Sequence, residues 1–209
     1  MFFEANAVYH IYNRSNETVF YSRENYLYFL SKIQHSIFPV CNILAWVLMP
    51  NHFHILVKAT DNSCINTSEK HRPDTQLLSK NIGIVLSSYS QAVNRQENRR
   101  GNLFSHKTKA KMLNEEYLNP SSGFNRLTNN HSDYTTTCFL YIHQNPVIAG
   151  LVSKLEDWEF SSFRDFAGLR NGKLVNKKLA FEYIDMNPEH FLEQSNRFVE
   201  EELLRKLFP

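Results

Sequence analysis

Met49-Pro50-Asn51-His52-Phe53-His54-Ile55-Leu56-Val57 decides the fold, together with the run before it, Cys41-Asn42-Ile43-Leu44-Ala45-Trp46-Val47-Leu48. Both runs are rich in aliphatic, aromatic and β-branched residues, and Pro-Asn supplies turn chemistry between them. The pattern predicts two antiparallel strands joined by a tight turn. Alternation then puts His52, His54, Leu56 and Lys58 on one face, and Phe53, Ile55 and Val57 on the other. The second set is suited to packing on helices. The first sets two imidazoles side by side, about 7 Å apart at Cα from the strand rise. That is a workable base for a divalent metal.

Before this hairpin, residues 7–13 (Ala-Val-Tyr-His-Ile-Tyr-Asn) read as a first strand, with Val8, His10 and Tyr12 on one face. His10 is taken as a surface or packing residue, outside the metal set, and Arg14 begins a polar turn able to meet phosphate. Ser22 caps a helix reaching Ile37, in which Tyr26, Phe29, Leu30, Ile33 and Ile37 recur at helical spacing. After the hairpin, residues 60–75 are polar and read as a loop, followed by a second helix over 75–97. Residues 103–112 then alternate, so Ser105, Lys107, Lys109 and Lys111 share a face, with Arg99 and Arg100 nearby. Such a row suits a phosphate backbone; it also suits an edge strand guarded against aggregation. The order strand, helix, strand, strand, helix, strand is that of an α+β, ferredoxin-like β-α-β-β-α-β unit, with an antiparallel sheet and helices on one face.

The remaining segments follow a polar stretch, 114–134, read as a linker. A helix over 133–145 puts Tyr141 and Asn145 four residues apart on one face, with Pro146 closing it. Gln144, three residues from Tyr141, lies on roughly the same side. Trp158 to Phe166 is aromatic and expected to pack on the core. A helix over about 188–207 is expected in the tail.

His52-Phe53-His54 resembles the histidine-hydrophobic-histidine (HUH) motif of single-tyrosine transposases, and Tyr141-Ile142-His143-Gln144-Asn145-Pro146-Val147 is similar to the nucleophile helix of the REP-associated tyrosine transposases. Three further pieces match in order: Tyr9-His10-Ile11-Tyr12-Asn13-Arg14, Gly101-Asn102-Leu103-Phe104, and Trp158-Glu159-Phe160-Ser161-Ser162-Phe163-Arg164-Asp165-Phe166. The resemblance spans residues 6–167. It implies a transposase domain over 1–167; residues 168–209 match none of its motifs and are read from their own pattern as a helical C-terminal extension. It also implies a single-stranded, hairpin-forming (REP-like) DNA substrate, Mg²⁺ or Mn²⁺, and a Tyr141 nucleophile that leaves a 5′-phosphotyrosine. The metal ligands would be His52, His54 and Asn145, with Gln144 the alternative to Asn145. Arg14, Arg99, Arg100, Lys107, Lys109 and Lys111 are the expected phosphate contacts. On ligand softness alone, two imidazoles favour Zn²⁺ or Mn²⁺ over Mg²⁺.

The 209 residues carry a net charge of only +2, so nucleic-acid binding must rest on local clustering. A hydrophobic content of 42% suits one sizeable globular domain. Three scattered cysteines without a Cys-X-X-Cys argue against a disulfide framework or zinc knuckle. No apolar run is long enough to cross a membrane, and Met1-Phe2-Phe3-Glu4 does not read as a signal peptide; a cytoplasmic monomer or homodimer is expected. Two rival readings remain: a DNA-binding regulator without catalysis, and a metal-dependent phosphodiesterase that uses water.

Overall fold

The computed structural model describes residues 1–69, 72–113, 130–197 and 199. Strands β1 (Val8–Arg14), β2 (Cys41–Met49) and β3 (His52–Ala59) form an antiparallel sheet with β6 (Lys109–Met112) at its edge, in the order β2-β3-β1-β6. This is the ferredoxin-like order, and the protein is an α+β fold as the sequence predicts. Pro50 and Asn51 make the two-residue turn between Met49 and His52. The turn is pinned from outside, because Val19 N–H donates to Pro50 O at 2.7 Å and Ser15 N–H to Asn51 O at 2.8 Å.

Two cores lie on the two faces of the sheet. Tyr9, Ile11, Phe53, Ile55 and Val57 meet α1 (Arg23–Ser36) and α3 (Leu77–Gln96). A bulge in β2 between Ile43 and Ala45 resets the alternation. Ile43, Trp46 and Leu48 therefore join this first core, while Leu44, Ala45, Val47 and Met49 join Val8 and Leu56 on the other side. There they pack on Phe139 and Ile142 of α4 (Asn130–Ile148). The expectation of helices on one face holds for α1 and α3. The opposite face is also covered, because Leu44, Val47, Met49 and Leu56 are as apolar as the first set and must be buried too.

Four local expectations are corrected. Residues 60–75 hold a short helix, α2 (Asp61–Cys64), and a hairpin of β4 (Asn66–Glu69) with β5 (Arg72–Gln76). The basic strand is only β6. Residues 105–108 leave the ladder because buried Asn13 takes their polar groups, donating to Ser105 O and Thr108 Oγ1 at 2.9 Å each and accepting from Ser105 N at 3.1 Å. The α4 helix runs through Pro146 to Ile148. It closes in the turn after the proline, where Gly150 takes φ +67°, a conformation costly for other residues. Gly150 N bonds Val147 O and Leu151 N bonds Pro146 O, both at 2.9 Å, the paired bonds of a Schellman end. Among the described residues of the tail, helical turns are α6 (Lys177–Tyr183), a 3₁₀ turn at Pro188–His190 and α7 (Phe191–Gln194); residues 200–207 of the expected tail helix, like 114–129 of the expected linker, lie outside the described residues.

Aromatic packing ties the later segments to α4. Phe191 lies 6.3 Å from Phe139 and 5.5 Å from Phe166 of α5 (Phe163–Phe166), centroid to centroid. The strip 158–166 joins β2, with Leu48 N–H donating to Phe160 O and Ser162 N–H to Trp46 O, both at 2.9 Å. Among the described residues no helix is long and apolar enough to cross a membrane.

Candidate active site

Strand alternation brings His52 and His54 onto the α4 side of the sheet, their ring centroids 5.0 Å apart. They stand where the two apolar layers part, next to a cleft of about 340 Å³. Because β1 lies beside β3, Tyr12 is opposite His54, and its ring stacks 5.7 Å from that imidazole. From above, α4 lowers Tyr141, whose ring meets His54 edge-on at 5.6 Å. Arg14, Lys107 and Lys109 complete the lining together with Asn13 and Ser105.

The hydrogen bonds set the state of each imidazole. Asn51 Oδ1 lies 2.6 Å from His52 Nδ1, so that nitrogen carries the proton and Nε2 the lone pair. His52 Nε2 then faces Asn145 Oδ1 at 3.3 Å. A lone pair and a carbonyl oxygen repel at that distance unless a positive charge lies between them. His54 Nδ1 lies 2.9 Å from His10 Nε2. With His10 as acceptor, His54 Nε2 carries the lone pair that a metal ligand needs. The two imidazoles and the amide oxygen therefore fit a divalent cation. Among the described residues no three His, Cys, Asp or Glu side chains form a metal cage, so an amide would have to supply the third position.

Burial keeps these groups neutral. It lowers the pKa of His52 to about 4, with the Asn145 contact acting against the fall and the Arg14 charge adding to it. His54 is held well below the usual histidine value, first by burial and then by the charges of His10, His52 and Arg14. Burial raises the Tyr141 phenol above its ordinary value, and the Asn145 amide and Arg14 charge pull it part of the way back.

The side chains around Tyr141 hold α4 in rotation. His143 Nε2 lies 2.7 Å from Ser162 Oγ, which also accepts from Trp46 N–H at 2.9 Å and donates to Trp46 O at 3.2 Å. The hydroxyl's one proton goes to the carbonyl, so His143 donates from Nε2. Gln144 points the other way, donating from Nε2 to Ser195 O at 2.8 Å and Arg197 O at 2.9 Å. Of the two amides that the sequence offers as third ligand, Asn145 is the one beside His52.

The predicted cations divide. Arg14, Lys107 and Lys109 come together at the cleft. Arg99 is engaged elsewhere, 3.1 Å from Glu17 Oε2 and 2.9 Å from Tyr21 Oη. Arg100 and Lys111 do not line the cleft; Lys111 stands on β6 opposite His10. Tyr12 and the clasping role of Asn13 are not expected from the motifs. A signal for Tyr12 is nonetheless present: it shares a face with His10, and the ferredoxin-like order places β1 against β3.

The fold resembles that of a known transposase. A solved REP-associated tyrosine transposase bound to a REP hairpin aligns at a TM-score of 0.51, with 17% identity, over 84% of this chain and 92% of that chain. No family model matches the sequence, and no curated protein does. At this identity the likeness carries the fold alone.

Proposed function

We propose that this protein cleaves and rejoins single-stranded DNA, with Tyr141 as the nucleophile and hairpin-forming sequences as substrate. The observation that carries the reading is the convergence of Tyr141, His52 and His54 from two distant segments at one cationic cleft, with Asn145 beside His52. The transposase of similar fold was solved on a REP hairpin, which supports a DNA partner for this chain.

In the proposed step, the Tyr141 oxygen attacks a backbone phosphorus and gives up its proton. The new O–P bond forms as the bond to the 3′-oxygen breaks, and that oxygen leaves as a 3′-hydroxyl after taking a proton. The downstream strand is then held as a 5′-phosphotyrosine. Attack by a 3′-hydroxyl reverses the step and joins strands without a nucleotide triphosphate. A buried phenol is a poor nucleophile at neutral pH, so it needs help. Arg14 supplies a cation that favours the phenolate, and Lys107 and Lys109 can engage the strand's phosphates. A divalent metal held by His52, His54 and Asn145 would polarise the phosphate and stabilise the leaving oxygen.

The test is a denaturing gel of end-labelled hairpin oligonucleotides with Mn²⁺ or Mg²⁺. A protein–DNA adduct that carries the downstream fragment and is absent in Tyr141→Phe is expected. Cleavage that persists in Tyr141→Phe without an adduct would establish water as the nucleophile instead.

A further inference from the structure

A second hollow, a groove of about 870 Å³, runs along α3 on the far side of the Ser105–Thr108 loop. Ser79, Gly83, Ser87, Ser90 and Asn94 follow one another at helical spacing along its wall. Beneath them Ile82, Leu103 and Phe104 are buried and close the floor, and Leu86 is half-buried at its edge. Ser105 and Lys107 line both this groove and the active-site cleft. The loop is thus a saddle between two hollows, held from below by the three hydrogen bonds to Asn13. Among the described residues no Asp or Glu lines the groove, whereas His106 and Lys107 do.

We propose that this groove is a second nucleic-acid subsite, occupied by the single strand as it leaves the cleft over the saddle. The inference rests on the DNA-processing reading above and extends it to a substrate longer than the reacting phosphate needs. Hydroxyl and amide side chains serve phosphate oxygens and base edges. A ligand present in both hollows must bend across a four-residue loop. A single strand does this readily, whereas duplex DNA stays stiff over about 150 base pairs. Lys107 at the crest meets the strand from either side.

Hairpin oligonucleotides with no flank, or with a single-stranded flank of about ten nucleotides on the 5′ or the 3′ side, test this directly. Binding is followed by fluorescence anisotropy across a salt series, with adduct formation measured in parallel. A flank of one polarity should tighten binding by about tenfold and steepen the salt slope by roughly 0.7 for each phosphate gathered. Ser87→Glu, at an exposed position on the groove wall, should cancel that gain. A Cβ at Gly83 meets nothing within 4 Å, so Gly83→Cys can carry a photo-cross-linker, which should capture the flank. The subsite is overturned if neither flank tightens binding, or if a duplex flank gives the same gain. It is also overturned if Ser87→Glu keeps the full gain while the cross-linker captures no DNA. An adduct without any flank effect removes the subsite and leaves the proposed function standing; absence of both adduct and binding removes both.

Discussion

Lowering the pH from about 7.5 to about 5 should cost this protein about 4 kcal/mol of stability through two buried histidines, His10 and His143. His10, His54 and His143 are at most 5% exposed. Burial lowers the pKa of His10 and His143 to about 3 and holds His54 well below the usual value. In the unfolded chain each titrates near 6.5. At pH 5 the unfolded state therefore binds a proton at each site that the folded state refuses. For His10 and His143 each refusal is worth RT ln(1 + 10^1.5), about 2 kcal/mol, so the two give about 4, set against a typical total of about 5–15; His54 acts in the same direction. The contribution is fully present above the unfolded pKa and is lost progressively as pH falls from about 6.5 toward the folded values near 3. Urea titrations followed by tryptophan fluorescence, with chelator present so that no metal competes with protons, measure the fall. His143→Gln retains a side-chain N–H for Ser162 and removes one titrating site, so its loss between the two pH values should shrink by about 2 kcal/mol. A stability that stays level down to pH 5 refutes the reasoning, as does a His143→Gln protein that falls as steeply as the parent.

Asn145→Ala should weaken Mn²⁺ binding by about tenfold or more, whereas Gln144→Ala should leave it unchanged and instead expose the 195–197 segment to proteolysis; calorimetric titration and limited digestion separate the two, and the reverse outcome would move the third ligand to Gln144. Replacing Arg14, Lys107 and Lys109 by Gln, one at a time, should flatten the salt dependence of single-strand binding by about 0.7 for each phosphate set free, while Arg100→Gln should barely change it; equal effects at all four positions would show that the cleft does not select the strand's path. Asn13→Ala should destabilise the protein by about 1–3 kcal/mol, because it removes three part-buried hydrogen bonds, and amide exchange should rise first at Ser105–Thr108; uniform exchange across β1 would contradict the clasp.

Local pattern makes much of the sheet legible. Period-two alternation over 51–58 assigns Phe53, Ile55 and Val57 to the helix side and His52 and His54 to the other. The first three lie in the core beneath α1 and α3, and both histidines stand on the α4 side. Tyr141 and Asn145 share a face at four-residue spacing, and they reach His54 and His52 respectively. The β2 bulge is hidden because one extra residue in a uniformly apolar run leaves no mark on the hydrophobic pattern. Residues 103–108 alternate like a strand, but Leu103 and Phe104 are both buried and Asn13 captures the loop behind them. The sequence understates the length of α4 because Pro146 reads as a stop, while the Gly150 end lies a few residues further on.

The sequence by itself determined which residues could share a face, since that follows from the two-residue and 3.6-residue periods of strand and helix. It determined the order of the six core elements, and with it the ferredoxin-like sheet, though not the helix and hairpin inserted over 61–76. Only the tertiary structure decided which faces meet. Packing α4 against β2 and β3 brings Tyr141 to His54 and Asn145 to His52, across roughly ninety positions of chain. The same packing sends Gln144 to the tail, and the fold takes Arg99 away to Glu17. Those choices depend on long-range burial and on hydrogen bonds between distant segments, which no local period encodes.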